Sequence, residues 1–207
     1  MTFRSLLLLS PTVLLAACVT PPERVEPVTS FAAAQACSSE PARPGTGFQT
    51  ETPLATDAVS APVNALSGCL TRTDGSQTPY ALIALPDLPN VASVFAGSIQ
   101  EYGRILAPEV QTLDGDLQPV REFGPERFTV RGLGYGAFFV PRPNEAYVLV
   151  TAAPDLVDAS HAPTSRYTAA ALEQYEGVFS YEGLAFVRVH YAEPEVDHAA
   201  DPEPMTD

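Results

Sequence analysis

From Tyr80 onward the chain breaks into short apolar or alternating runs: YALIALP, VASVFAGSI, GRILAPEVQTLD, ERFTVRG, YGAFFVP and EAYVLVTAA. Pro, Gly, Asp and Asn separate them. Runs of this length, rich in β-branched and aromatic residues, predict strands, and several in close series predict an antiparallel sandwich. The closing run LAFVRVHY alternates cleanly, which places Ala185, Val187, Val189 and Tyr191 inward and Arg188 and His190 outward. One helix is expected over SRYTAAALEQYEG, capped by Thr164 or Ser165 and ended by Gly177. Before Tyr80 the pattern is weaker. Residues 31–77 are rich in Ala, Pro, Ser, Thr and Gly and are expected to be mostly loop.

Two short motifs have a chemical and a structural reading. Asp114-Gly115-Asp116 pairs two carboxylates, but it lies between VQTL and LQPV. Asp-Gly between apolar runs predicts a hairpin, with glycine supplying the positive φ of a tight turn. A calcium site needs about six or more oxygens, which one turn does not supply. Gly132, Gly134 and Gly136 run into a strand rather than a helix. They therefore predict a loop entering a sheet, or close packing, and not a nucleotide-binding loop.

Charge narrows the partners. The chain carries 25 acids against 11 basic residues, a net charge of −14, and all 11 are arginine. This balance excludes a nucleic-acid partner, which needs a basic face. The absence of lysine excludes Schiff-base and P-loop lysine chemistry. The stretch Glu193–Asp207 holds six acids and no arginine and is expected to be a disordered tail.

The N-terminus reads MTFRSLLLLSPTVLLAACVT, with Arg4 before the apolar stretch Leu6–Leu15. That is too short to span a bilayer and has the layout of an export signal. LAAC, ending at Cys18, resembles a bacterial lipobox, which implies cleavage before Cys18 and lipidation of its thiol. Val19 after it resembles the outer-membrane sorting pattern. Acyl chains, each worth about 0.8 kcal/mol per buried methylene, would hold the protein on a membrane. Cys37 and Cys69 are the remaining cysteines, and in an oxidising compartment they are expected to form a disulfide.

Catalytic signatures are sparse. There is no Gly-x-Ser-x-Gly for a serine nucleophile and no His-Glu-x-x-His. His161 is expected in a solvated loop, His190 exposed on the last strand and His198 in the tail. Scattered carboxylates leave a glycosidase-like pair conceivable, with no pair selected. Tyr102, Tyr135 and Tyr147 could offer flat faces to a sugar, or be core residues with the hydroxyl at the edge.

The order of features in SVFAGSIQEYGRILAPEVQTLDGDLQPVREFGPERFTVRG, followed by GAFFVPRPNEAYVLVTAAPDL and GLAFVRVHY, resembles the periplasmic protein family of the maltose operon. The similarity runs from about Tyr80 to Tyr191 and rests on pieces such as APEVQTLD and YVLVT. It implies a periplasmic, non-enzymatic protein associated with maltose and maltodextrin uptake, and carries no active-site residues. The lipobox and the acidic tail depart from the family pattern.

The chain is thus expected to be mainly β: a signal over 1–17, a flexible tether over 18–30, a disulfide-pinned segment over 31–77, an antiparallel β-sandwich-like domain with one helix over 78–192, and a tail over 193–207. No cofactor or metal is expected. The expected partners are the outer membrane, through Cys18, and an oligosaccharide or a transport component of the envelope. A structural or protein-interaction lipoprotein without a sugar ligand is the alternative.

Overall fold

The structure is a computed structural model and describes residues 25–44, 47–48, 56–86, 90–161 and 177–192. The signal, Cys18, the expected helix before Gly177 and the acidic tail lie outside the described residues. Among the described residues thirteen strands form three sheets. Sheet 1 has the order β1-β13-β4-β9-β8, from β1 (Thr56–Val63), β13 (Gly183–Tyr191), β4 (Val91–Ile99), β9 (Gly134–Phe139) and β8 (Phe128–Arg131). Sheet 2 has the order β2-β3-β10-β6-β7, from β2 (Gly68–Thr71), β3 (Gln77–Ala84), β10 (Tyr147–Ala152), β6 (Pro108–Leu113) and β7 (Pro119–Phe123). Both are antiparallel throughout. Sheet 3 is small and mixed: β11 (Ser160–His161) pairs antiparallel and β5 (Arg104–Leu106) parallel with β12 (Gly177–Ser180).

The inner faces of sheets 1 and 2 meet in one core. Val94, Ala96, Val187 and Val189 come from sheet 1; Ile83, Val110, Val148 and Val150 come from sheet 2. Period-two alternation delivers them, since every second residue of a strand faces one way. Along β13, Ala185, Val187 and Val189 are fully buried, Arg188 is exposed, and Tyr191 packs on the core rim. A satellite cluster of Ile105, Ala107 and Phe179, with Tyr135 packed against it, lies under sheet 3.

The Asp114–Asp116 stretch is the β6–β7 turn. The Leu117 amide donates to the Asp114 carbonyl, and the Asp116 and Gln118 amides donate to Asp114 Oδ1, each at 2.9 Å for the carboxylate bonds. The carboxylate is occupied in holding the turn. The positive φ falls on Leu117, at 65°, and not on Gly115. Leu117 accepts this left-handed geometry while packing against Tyr80, Leu82, Leu113 and Leu149, so apolar burial offsets a local cost of about 1–2 kcal/mol.

Two sequence expectations need correction. Residues 31–77 hold more than loop: β1 and β2 lie within them, one in each large sheet. β1 is an edge strand with alternately exposed positions, so Thr, Ala, Ser and Pro suffice and the apolar signal is weak. The expected tether is already docked at Val25. The Val25 amide donates to the Tyr102 carbonyl at 2.8 Å, the Val28 amide to Ser180 Oγ at 2.9 Å, and the Tyr181 amide to the Val28 carbonyl at 2.9 Å.

The Cys37–Cys69 disulfide is formed. Beside it, Ser38 lies parallel to β2, donating to the Cys69 carbonyl and accepting from the Thr71 amide. Farther on, Gly47 pairs with Ala84 of β3. The N-terminal segment thus covers the edge of sheet 2, satisfying backbone groups that an open edge would expose.

Candidate binding groove on sheet 1

The outer face of sheet 1 is built by register. Phe186 faces Gly97, Arg188 faces Phe95, and His190 faces Ser93 across β13 and β4. Phe95 faces Phe138, and Gly97 faces Gly136, across β4 and β9. Arg131 of β8 pairs with Gly134. No strand position on this face holds Asp or Glu, although acids outnumber basic residues 25 to 11 in the chain.

Glycines bring β4 and β9 close together beside the groove. A Cβ on Gly136 would sit 2.1 Å from the Ala96 carbonyl oxygen, and one on Gly97 would sit 2.2 Å from that of Tyr135. Only glycine allows β4 and β9 this close approach. Beside this contact lies a groove of about 510 Å³ lined by Gly132, Gly134, the apolar Phe95, Ile99, Leu133 and Phe186, and the polar Arg131, Arg188 and His190. Arg131 lies over the Phe138 ring at 4.1 Å and Arg188 over the Phe186 ring at 5.1 Å, in cation–π geometry. Phe138 is 41% exposed. His190 Nδ1 lies 3.2 Å from Thr56 Oγ1. The result is an apolar floor and walls with donors held at the rim, the composition of a small-ligand cleft.

The other titratable groups are engaged elsewhere. Glu145, whose side chain is fully buried, accepts from Arg121, from Thr112 Oγ1 at 2.7 Å and from the Arg142 amide at 2.7 Å. Burial raises its pKa, but the bonds from Arg121, the Arg142 amide and Thr112 outweigh that, and the carboxyl ends below its ordinary 4.5. Every one of these contacts favours the carboxylate, which suits a structural clamp and opposes a general acid. A cleft of about 570 Å³ beside Arg43, Tyr80 and Leu82 has no Asp or Glu in its lining, and a smaller one of about 240 Å³ contains Glu109, Glu122 and Asp155. There Glu109 is bonded by Arg72 and Thr151 Oγ1, and Glu122 accepts from Gln111. Among the described residues no group of three or more His, Cys, Asp or Glu is arranged to hold a metal.

The sequence-selected residues scatter. His161 is not a solvated loop residue: it is buried on β11, its ring 5.2 Å from those of Tyr135 and Phe179. Burial lowers its pKa below 6.5. Its neighbours in sequence are small or polar and none is aromatic, so only the tertiary fold reveals the aromatic box. Tyr102 is 57% exposed in the β4–β5 turn, Tyr135 packs beside His161, and the Tyr147 hydroxyl accepts from Arg43 at 3.0 Å. The three tyrosines do not share one platform. The aromatic face consists of phenylalanines from β4, β9 and β13. Phe186 could have been found: in LAFVRVHY it has the same parity as Arg188 and His190, and a large apolar ring there is unusual for an outward position.

Comparison with protein-family models, with curated proteins and with solved structures returns no match. The chain is therefore read from its own geometry: a β-sandwich with one acid-free, aromatic outer face.

Proposed function

We propose that this chain is a non-catalytic lipoprotein of the bacterial periplasm, anchored through Cys18 at the inner face of the outer membrane and accessory to maltodextrin uptake. The observation that carries the binding role is the groove of Phe95 and Phe186 beneath Arg131, Arg188 and His190. A pyranose has one apolar face, which suits a phenyl ring, and a rim of hydroxyls, which suits guanidinium donors. The order of features from Tyr80 to Tyr191 supports the maltose link, and the Cys37–Cys69 bond agrees with export to an oxidising compartment.

Calorimetric titration of the mature full chain with a ladder of maltodextrins tests the reading. Saturable heat that grows with sugar length and is abolished in Phe186→Ala is the expected result. Absence of heat up to millimolar sugar rejects direct maltodextrin binding. A second reading, an envelope protein that binds another protein and no sugar, is favoured by exposed Phe138 and Val140 on and just beyond β9. In that case Val140→Asp releases a cross-linked envelope partner while the sugar titration stays flat.

A further inference from the structure

Three of the large apolar side chains exposed among the described residues sit in turns at one end of sheet 1. Leu66, 81% exposed, follows β1; Tyr102, 57% exposed, follows β4; Leu133, 38% exposed, joins β8 to β9. The register places these turns together, because the ends of β1, β4 and β8 and the starts of β13 and β9 coincide: Pro62 faces Leu184, Leu184 faces Ile99, and Ile99 faces Gly134. The tips therefore span three to four strand spacings, roughly 14–19 Å.

The turns are tied into one rim. The Gln100 amide donates to the Leu133 carbonyl at 2.8 Å, and the Ala65 amide donates to Glu182 Oε1 at 3.1 Å. Arg104 bridges Glu182 at 3.9 Å and Glu101 at 3.6 Å. The acids of the rim are thus paired. Tyr102, at φ 28°, and Gly103, at φ 94°, turn the backbone sharply at the tip.

The N-terminal segment runs along the same end. It meets Tyr102 at Val25, Ser180 and Tyr181 at Val28, and Ala65 at Ala34. Six residues, Val19–Arg24, separate Val25 from Cys18. Their full reach is about 25 Å at most. That is shorter than the nine-residue strand β13, which is about 30 Å long. An anchor at Cys18 would therefore keep this end of the sandwich, and not the opposite one, next to the bilayer.

We propose that the Leu66–Tyr102–Leu133 end of sheet 1 is a membrane-docking surface whose apolar tips enter the lipid interface. This rests on the anchored-lipoprotein reading and adds the orientation of the body. A leucine, a tyrosine and a leucine on adjacent tips match the interface, where aromatic rings sit at headgroup level and aliphatic tips reach the acyl boundary. The open groove on the outer face of sheet 1 then stands along the bilayer normal, with its Leu133 end towards the lipid and its Phe138 end towards the aqueous phase.

The chain contains no tryptophan, so single-tryptophan variants report position cleanly. Mature full-length Leu66→Trp, Tyr102→Trp, Leu133→Trp and, as control, Val140→Trp are reconstituted in phosphatidylethanolamine–phosphatidylglycerol vesicles containing brominated lipid. The expected result is several-fold stronger quenching at the three tips than at position 140. Equal quenching at all four, quenching strongest at 140, or none at any position overturns the docking surface. Mass analysis of the mature N-terminal peptide, with flotation of Cys18→Ala, judges the anchor separately. Acylated, floating protein without the quenching pattern sinks docking alone; an unacylated N-terminus sinks the anchor, whatever the pattern; failure to float at all sinks both.

Discussion

The two large sheets of this sandwich treat their outer faces differently. On sheet 2, Tyr80, Leu82, Leu113 and Leu149 form a cluster that the chain guards itself. The N-terminal segment follows the sheet edge, its Ala42 amide reaches the Tyr80 hydroxyl, and Arg43 extends to the Tyr147 hydroxyl and the Gly115 carbonyl. The disulfide fixes that segment beside β2. On sheet 1 no described segment crosses the groove, and the aromatic rings are shaded only by their own arginines. Both faces are rich in apolar side chains. One is partly covered by a stapled, hydrogen-bonded segment that leaves a cleft of about 570 Å³ beside Arg43, Tyr80 and Leu82, the other only by arginines stacked on its own rings. Apolar composition alone therefore does not mark a binding face; what covers it does.

The largest expected effect comes from cutting the link between the sheets. Glu145 lies in the connection from β9 of sheet 1 to β10 of sheet 2 and clamps Arg121 of β7. Glu145→Ala leaves that guanidinium without its partner and should lower unfolding stability by about 3–5 kcal/mol in urea titration. Because the folded carboxyl titrates below 4.5, its stabilisation is fully present above the ordinary pKa and is lost as pH falls through the folded value. The gap between wild type and Glu145→Gln should therefore narrow only in acid, below about pH 4.5.

Next in size is the staple on the covered side. The bridged residues are 32 apart in sequence, so replacing both cysteines by alanine should cost roughly 2–4 kcal/mol, chiefly through the unfolded chain. Proteolysis should then begin in the N-terminal segment, and the open groove should keep its ligand affinity. On the open side, Gly136→Ala forces β4 and β9 apart and should cost about 1–3 kcal/mol by urea titration. The smallest stability effect belongs to Arg188→Ala. The side chain is exposed, so the change should stay within about 0.5 kcal/mol by thermal melting, yet weaken any groove ligand markedly. A loss of stability as large as that of the cysteine variant would show that the arginine braces the sheet and would break the contrast.

Much of the sandwich was legible in the sequence because the core uses strict alternation. β13 reads directly from LAFVRVHY, and the β6–β7 hairpin from Asp114-Gly115 between apolar runs. The single run GRILAPEVQTLD hid a switch: β5 belongs to sheet 3 and β6 to sheet 2, divided at Ala107. Hydrophobic pattern does not record which sheet a strand joins. Similarly, β1 escaped because an edge strand needs few apolar residues. The groove was illegible for a different reason. Its rings come from two strands distant in sequence, and only the register of β4 and β13 brings Phe95 and Phe186 together. The glycines of RGLGYG carried half the message, close packing, without naming the neighbour.

The pairing of β1 with β13 also has a consequence for how the protein is made. Thr56 lies opposite His190, 134 residues later. The first sandwich strand has no neighbour in its sheet until the last strand exists, so its pairing has a very high sequence separation and a correspondingly slow closure. The cysteines, only 32 apart, belong to a stretch that is complete long before. During synthesis the N-terminal end can be oxidised and pinned while sheet 1 still lacks β13, the strand that joins β1 to β4. Truncation before β13 should therefore leave β1 and one edge of β4 unpaired, and aggregation of truncated chains should begin there.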